Sequence, residues 1–314
     1  MLGLGAIIFS ILPPFILLAL GALTRKYGIM RAEADASLSM ITVRVLYPAF
    51  ILYQILNAED FAIGKNCFIT SSIGFLSILL GFGMAWIVSI IGKFDQVSVR
   101  SFRFCSGIFN YGFIAIPVGQ SLFGAEIVVH IIFFNLGVEI AIWTVGVLIL
   151  TGKKFCYSGI FNPPAMSVLV ALLLKEFGGS EVLPSFLSDV ISMVGQCSIP
   201  LGLMLIGGSF YDLLKNFSFS VAYKTEICAI LVRNLLFPCL VLLCIYCNVI
   251  PSKPEWISKV LVVQGAMPAG IFAIVIVRSY YSDTETAIRS IFSTMIISII
   301  SLPVWLVVGI NLLN

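Results

Sequence analysis

Two short stretches hold the residues whose types and spacing could do chemistry: Asn110-Tyr111-Gly112, followed by Pro117, Gly119 and Gln120, and Gln264-Gly265-Ala266-Met267-Pro268-Ala269-Gly270. Each interrupts an apolar segment and reads as helix, unwound stretch, helix. Gly112 and Gly265 supply backbone freedom, while Pro117 and Pro268 suit the first turn of a new half-helix. The N-terminus of a half-helix presents unpaired N–H groups and the positive end of a dipole. Two such ends meeting from opposite directions would hold a carboxylate without a buried lysine. Asn110, Tyr111 and Gln264 add side-chain hydrogen bonds, and Pro117, Pro268 and Ala269 complete the candidate substrate-binding set. The plainer reading is a pair of proline kinks packed by their neighbours.

Ionisable groups inside apolar spans are expensive and default to functional candidates. Glu139 lies midway along one such span, and Asn135 is four residues before it on the same helical face. The pair could ligate a cation or substrate, or Glu139 could carry a proton; alternatively, a salt bridge to Arg44 or Arg233 merely stabilises the bundle. His130, the only histidine, reads as an interface anchor in preference to a proton relay. Arg44 and Arg233 could hold the charge of an organic anion, but snorkelling, or pairing of Arg233 with Glu226 one heptad earlier, is the safer expectation. Trp86, Trp143, Trp256 and Trp305 read as packing or span-end aromatics. Most cysteines act as small hydrophobes, and Cys244 with Cys247 has no second ligand pair nearby, so neither a metal nor any other cofactor is expected.

The elements that must position these residues follow from composition. The 314 residues are 60% hydrophobic and only 11% charged, with a mean hydropathy of +1.11, whereas soluble domains carry roughly 25% charge. That balance excludes a water-soluble core and, with a net charge of only +3, a nucleic-acid partner; it fits an all-α polytopic membrane protein. The first apolar run lacks a basic leader and reads as a span in place of a signal peptide. A span needs ~20 mostly apolar residues. Candidates fall at 6–24, 37–57, 68–92, 102–123, 127–151, 162–178, 187–210, 222–249, 256–280 and 287–312, which makes ten transmembrane helices, the fourth and ninth broken.

Proline landmarks recur about 150 residues apart: Pro13-Pro14 with Pro163-Pro164, Pro48 with Pro200, and Pro117 with Pro268. The first pairs mark the start of each half, the second kink the second span of each, and the third fall at the breaks. The halves are 1–151 and 162–314, joined by a short cytoplasmic connection at 152–161. Basic residues set orientation. Arg25, Lys26, Arg31, Lys93, Arg100, Arg103, Lys153, Lys154, Lys215, Lys224, Arg278 and Arg289 follow odd-numbered spans, against Lys65, Lys175, Lys253 and Lys259 after even-numbered ones. Odd connections therefore face the cytoplasm and both termini face outside. With five spans per half, the second half enters upside down, as a 5+5 inverted repeat that supports alternating access.

These residues resemble the auxin efflux carrier family, which includes plant PIN transporters and bacterial malonate-type carriers. The matching stretches are Asn110 to Pro117, Phe123-Gly124-Ala125-Glu126, Asn162-Pro163-Pro164, Ile199-Pro200-Leu201, Leu205-Ile206-Gly207-Gly208 and Ala266-Met267-Pro268-Ala269-Gly270. The resemblance implies ten spans, an inverted repeat and two crossing broken helices, a fold similar to bile-acid/sodium symporters. It also implies that Asn110 matches a crossover asparagine that contacts substrate. The long cytoplasmic loop of large plant members is missing, so regulation through it is not implied.

The leading expectation is a secondary carrier of a small organic anion, an auxin-like or malonate-like carboxylate, in a bacterial inner (plasma) membrane. Its partners would be that anion and the lipid bilayer, with a homodimer compatible with the chain. A sodium-coupled symporter on the same fold is the alternative, with Asn135, Glu139 and Gln264 as a partial set of oxygen ligands. An intramembrane enzyme is remote, because no paired-aspartate, His-Glu-x-x-His or phosphate-loop motif is present.

Overall fold

The computed structural model describes residues 4–58, 63–152, 162–178, 183–216, 223–249 and 254–313. Of the connection expected between the halves at 152–161, all but Gly152, including Lys153 and Lys154, lies outside the described residues, as does Lys253. Among the described residues the chain is helical apart from one isolated backbone bridge.

Helices occupy all ten apolar stretches. They are α1 (Leu4–Lys26), α2 with α3 (Asp35–Ile41 and Tyr47–Leu56), α4 (Ile63–Ile91), α5 and α6 (Ser98–Gly107 and Ala115–Phe123), and α7 with α8 (Glu126–Ala141 and Val147–Thr151). The later ones are α9 (Pro163–Glu176), α10 and α11 (Ser185–Gln196 and Ser198–Asn216), α12 with α13 (Lys224–Ile230 and Phe237–Tyr246), α14 and α15 (Glu255–Ala266 and Phe272–Ser279), and α16 (Thr284–Leu313). Among the described residues, six continuous helical stretches are long and apolar enough to cross a membrane. The outward faces of these helices carry bare apolar side chains such as Phe68, Ile91, Ile227 and Ile300, a surface suited to lipid and not to water. The protein is an all-helical, polytopic membrane protein.

The prolines act differently from one another. Pro163 and Pro164 open α9, where Asn162 caps the helix by accepting from the Ala165 N–H at 2.9 Å. Pro13 and Pro14 instead lie inside α1, so the two pairs do not mark equivalent starts. Pro48 follows a π-helical turn, Thr42–Leu46, that joins α2 to α3. The same device, Leu231–Leu236, precedes Pro238 in α13. A π-turn opens the ladder just where proline removes a donor, which lets the span continue. Pro200 sits in the first turn of α11, where that span is split at Cys197.

Two bundles result. In one, α1 packs along α11 while α3 packs against α9 and α10; in the other, α4 packs on α5 and α7, and α16 on α12, α14 and α5. The α1–α11 contact is close enough that a Cβ on Gly21 would fall 2.0 Å from the Met204 carbonyl, and one on Gly207 2.0 Å from that of Leu18. Small residues allow such backbone approach where the hydrophobic effect gives no drive between helices. In the second bundle, α7 is enclosed on nearly every side, and it carries Asn135 and Glu139 to the seam between the bundles.

Candidate functional site

The two breaks meet at the centre of the molecule. Helix α5 ends at Gly107 and Ile108 turns extended (φ −95°, ψ 129°); α14 ends at Ala266 and Met267 does the same (φ −70°, ψ 140°). The extended stretches pair antiparallel, with Phe109 opposite Ala269. The Asn110 N–H donates to the Pro268 carbonyl at 2.8 Å, and the Gly270 N–H to the Ile108 carbonyl at 3.0 Å. Unwound backbone at membrane depth must be satisfied by protein or water, and here each break satisfies the other.

This geometry corrects the expected roles of the glycines and of one proline. Gly112 lies in a turn and Gly265 is still inside α14, and neither adopts a left-handed conformation. The position that demands glycine is Gly270, where a Cβ would lie 2.8 Å from the Phe109 carbonyl oxygen. Pro117 does sit in the first turn of α6, but Pro268 precedes α15 by several residues. The bridge uses only the carbonyl of Pro268, so a residue without a donor fits there.

A cavity of about 230 Å³ opens beside the pairing, between the bundles. Asn110, Tyr111 and Gly112 line it from the first break, and Gly270, Ile271 and Phe272 from the second; Tyr47, Glu139, Pro164 and Ser209 close it from other helices. The residues that lead into α6, up to Phe113, and the first residue of α15, Phe272, therefore line this space. Asn110 is buried, and its Oδ1 accepts from the Ile114 N–H at 3.4 Å, within the turn that leads into α6. Of the other expected site residues, Gln264 and Asn135 stand behind the cavity wall. Gln264 donates through Nε2 to the Tyr111 carbonyl (3.1 Å) and to Asn135 Oδ1 (3.3 Å), tying the ninth span to the first break. Asn135 borders a recess of about 20 Å³ shared with Tyr47, Tyr111 and Glu139. Pro268 and Ala269 do not line the cavity; the Ala269 N–H donates to Thr294 Oγ1 at 3.2 Å. Pro117 lines a separate cavity of about 350 Å³ with Tyr53, Gln54, Gln120 and Pro200.

Glu139 is held by three neutral donors. Tyr111 Oη donates to Oε1 at 2.5 Å, and Trp143 Nε1 and Asn162 Nδ2 donate to Oε2 at 2.9 and 3.0 Å. Neither arginine considered as its salt-bridge partner reaches it. Arg44 is exposed on the second span, and Arg233 is wholly buried elsewhere. Glu226 pairs with Arg289 through two bonds of 2.7 and 3.0 Å, not with Arg233. The π-turn at Leu231–Leu236 is the reason: it breaks the regular 3.6-residue phase, so a heptad spacing no longer puts residues on one face. Arg233 instead faces the rings of Phe237 (4.1 Å) and Phe109 (5.1 Å) and donates to the Met267 carbonyl at 3.3 Å. His130 stacks on Trp256 with ring centroids 4.3 Å apart.

Tyr47, Trp143 and Asn162 are the residues of this site that sequence reading did not assign. Trp143 is four residues beyond Glu139, one helical turn away, and that spacing could have flagged it. Asn162 stood out only as part of Asn-Pro-Pro, a helix start; its second bond, to Glu139, comes from the bundle contact.

Comparison with known proteins agrees with a polytopic membrane protein. Residues 6–157 and 148–306 match the membrane transport protein family. An uncharacterized transporter of Methanothermobacter thermautotrophicus is 23% identical over 308 residues, covering 95% of this chain and 97% of the relative. Another uncharacterized transporter, from Methanocaldococcus jannaschii, is 24% identical over 298 residues, covering 92% and 94%. The family is one of transporters and not of enzymes. The chain belongs to the membrane transport protein family, of the auxin efflux carrier type.

Proposed function

We propose that this transporter is a secondary carrier of a small organic anion, working by alternating access around the paired breaks. The observation that carries the reading is that the segments leading into α6 and α15, Asn110–Phe113 and Gly270–Phe272, line one cavity. The positive dipole ends of the half-helices that these segments enter suit a nearby carboxylate, and Asn110 offers its side-chain amide beside them. A cavity of about 230 Å³ admits a small acid. The architecture in this reading is ten spans in a five-plus-five inverted repeat, with both termini outside a bacterial plasma membrane. The antiparallel pairing of the two breaks supports the inversion.

Coupling, in this reading, is to protons through Glu139. The side chains that face it are Tyr111, Trp143, Asn162 and, across the shared recess, Tyr47. No cation among them offsets its charge. An ionised Glu139 and a bound carboxylate repel each other, so the anion binds best when Glu139 is protonated, and anion and proton cross together.

The test is uptake of radiolabelled malonate, succinate and benzoate into proteoliposomes, with acid outside or with equal pH on both sides. The acid gradient should drive accumulation, and Asn110→Ala should reduce it at least tenfold while the protein still inserts. Wild-type uptake by Asn110→Ala would refute the assignment of the site. Failure of all three acids to move or to shift the melting of purified protein would count against an organic-anion carrier.

A further inference from the structure

Arg233 has no part in the cavity, yet among the described residues no other charged side chain is so deeply placed: it is 0% exposed. No carboxylate lies within ion-pair distance among the described residues. Its Nη2 donates to the Met267 carbonyl, while Nε and Nη1 have no hydrogen-bond partner. A lone buried charge is costly, so the surroundings must repay it. Two aromatic faces do so in part, Phe237 and Phe109, and cation–π contact strengthens when desolvated. The rest comes from position. Met267 is the C-cap of α14, so its carbonyl belongs to the negative end of that half-helix. Phe109 lies two residues past the end of α5, the other half-helix that stops at the breaks.

Half-helix C-terminal ends and unwound carbonyls are where carriers with broken helices bind a coupling cation. In this chain that position is filled by a guanidinium, which stays charged in proteins. We propose that Arg233 is a resident substitute for a coupling alkali cation: it supplies the positive charge that stabilises the paired breaks, and it makes the transporter indifferent to sodium and potassium. The proposal rests on the carrier reading above and deepens it, since it assigns the coupling role to the proton alone.

The experiment is thermal unfolding of the purified full chain in detergent, in sodium, potassium or choline chloride at equal ionic strength. Wild type should melt at the same temperature in all three. Arg233→Gln removes the charge and keeps a donor for Met267; it should melt lower in choline, and sodium or potassium should raise it by about 2–4 °C as the emptied position takes a cation. Arg233→Lys keeps a charge and should remain indifferent, which preserves a decisive arm if the glutamine variant does not fold. Sodium-specific stabilisation of wild type or of Arg233→Lys would overturn the proposal, and so would an Arg233→Gln protein that folds and ignores both cations. Malonate, succinate and benzoate are added in a separate arm. Their failure to stabilise wild type would count against the anion-carrier reading and leave the cation result to stand by itself.

Discussion

Gly270→Ala is the smallest change that should break the site from within. The added Cβ would lie 2.8 Å from the Phe109 carbonyl oxygen, and reaching ordinary contact at 3.4 Å requires a shift of about 0.6 Å. Nothing flexible is available to move, because the obstacle is backbone that is itself held in the bridge by bonds of 2.8 and 3.0 Å. Overpacking of this kind costs about 1–3 kcal/mol. If the shift also breaks one bridge bond, a buried donor and acceptor lose their partners, for roughly another 1–3 kcal/mol. With both contributions the expected total is about 2–6 kcal/mol, read as a lower melting temperature of purified protein together with a loss of uptake. Gly112→Ala is the matched control, since its Cβ would meet only Tyr47 Oη at an ordinary 3.5 Å; its melting should stay near that of wild type. If Gly270→Ala melts and transports like wild type, then the bridge is not the structural centre of the site and the reasoning fails.

Glu139→Gln keeps one acceptor oxygen but turns an amide toward a donor, and it cannot titrate. Uptake should lose its dependence on an acid gradient while the protein remains folded, and a pH profile of uptake checks this. Arg289→Lys replaces a two-bond fork, whose side chains are 13–14% exposed, with a point charge; unfolding should show a loss of about 1–2 kcal/mol. A variant with Cys247 as its single cysteine should react with a membrane-impermeant maleimide added outside intact cells, because that exposed residue follows an even-numbered span. Labelling only after permeabilisation would reverse the assigned orientation.

The helices were legible in the sequence because hydropathy and span length are set by the bilayer, and because proline and glycine punctuate the two breaks. Asn110, Tyr111 and Gly112 were legible at the cavity for the same reason. What stayed hidden depends on contacts between distant segments. The demand for glycine falls at Gly270 and not at Gly112 or Gly265, since it arises from the approach of the other break. The partner of Glu226 is Arg289, in another helix, because a π-turn cannot be read from an apolar run and it removes Arg233 from the expected face. Pro117 and Pro268 share a spacing but not a position, because one is helical and the other extended.

The hydrogen-bonded bridge between Phe109 and Ala269 has a kinetic meaning. Two chain segments about 160 residues apart in sequence are tied by two backbone hydrogen bonds, so sliding one break past the other means breaking both. In the proposed carrier, a ligand seated beside this bridge would therefore meet both halves of the chain at one junction.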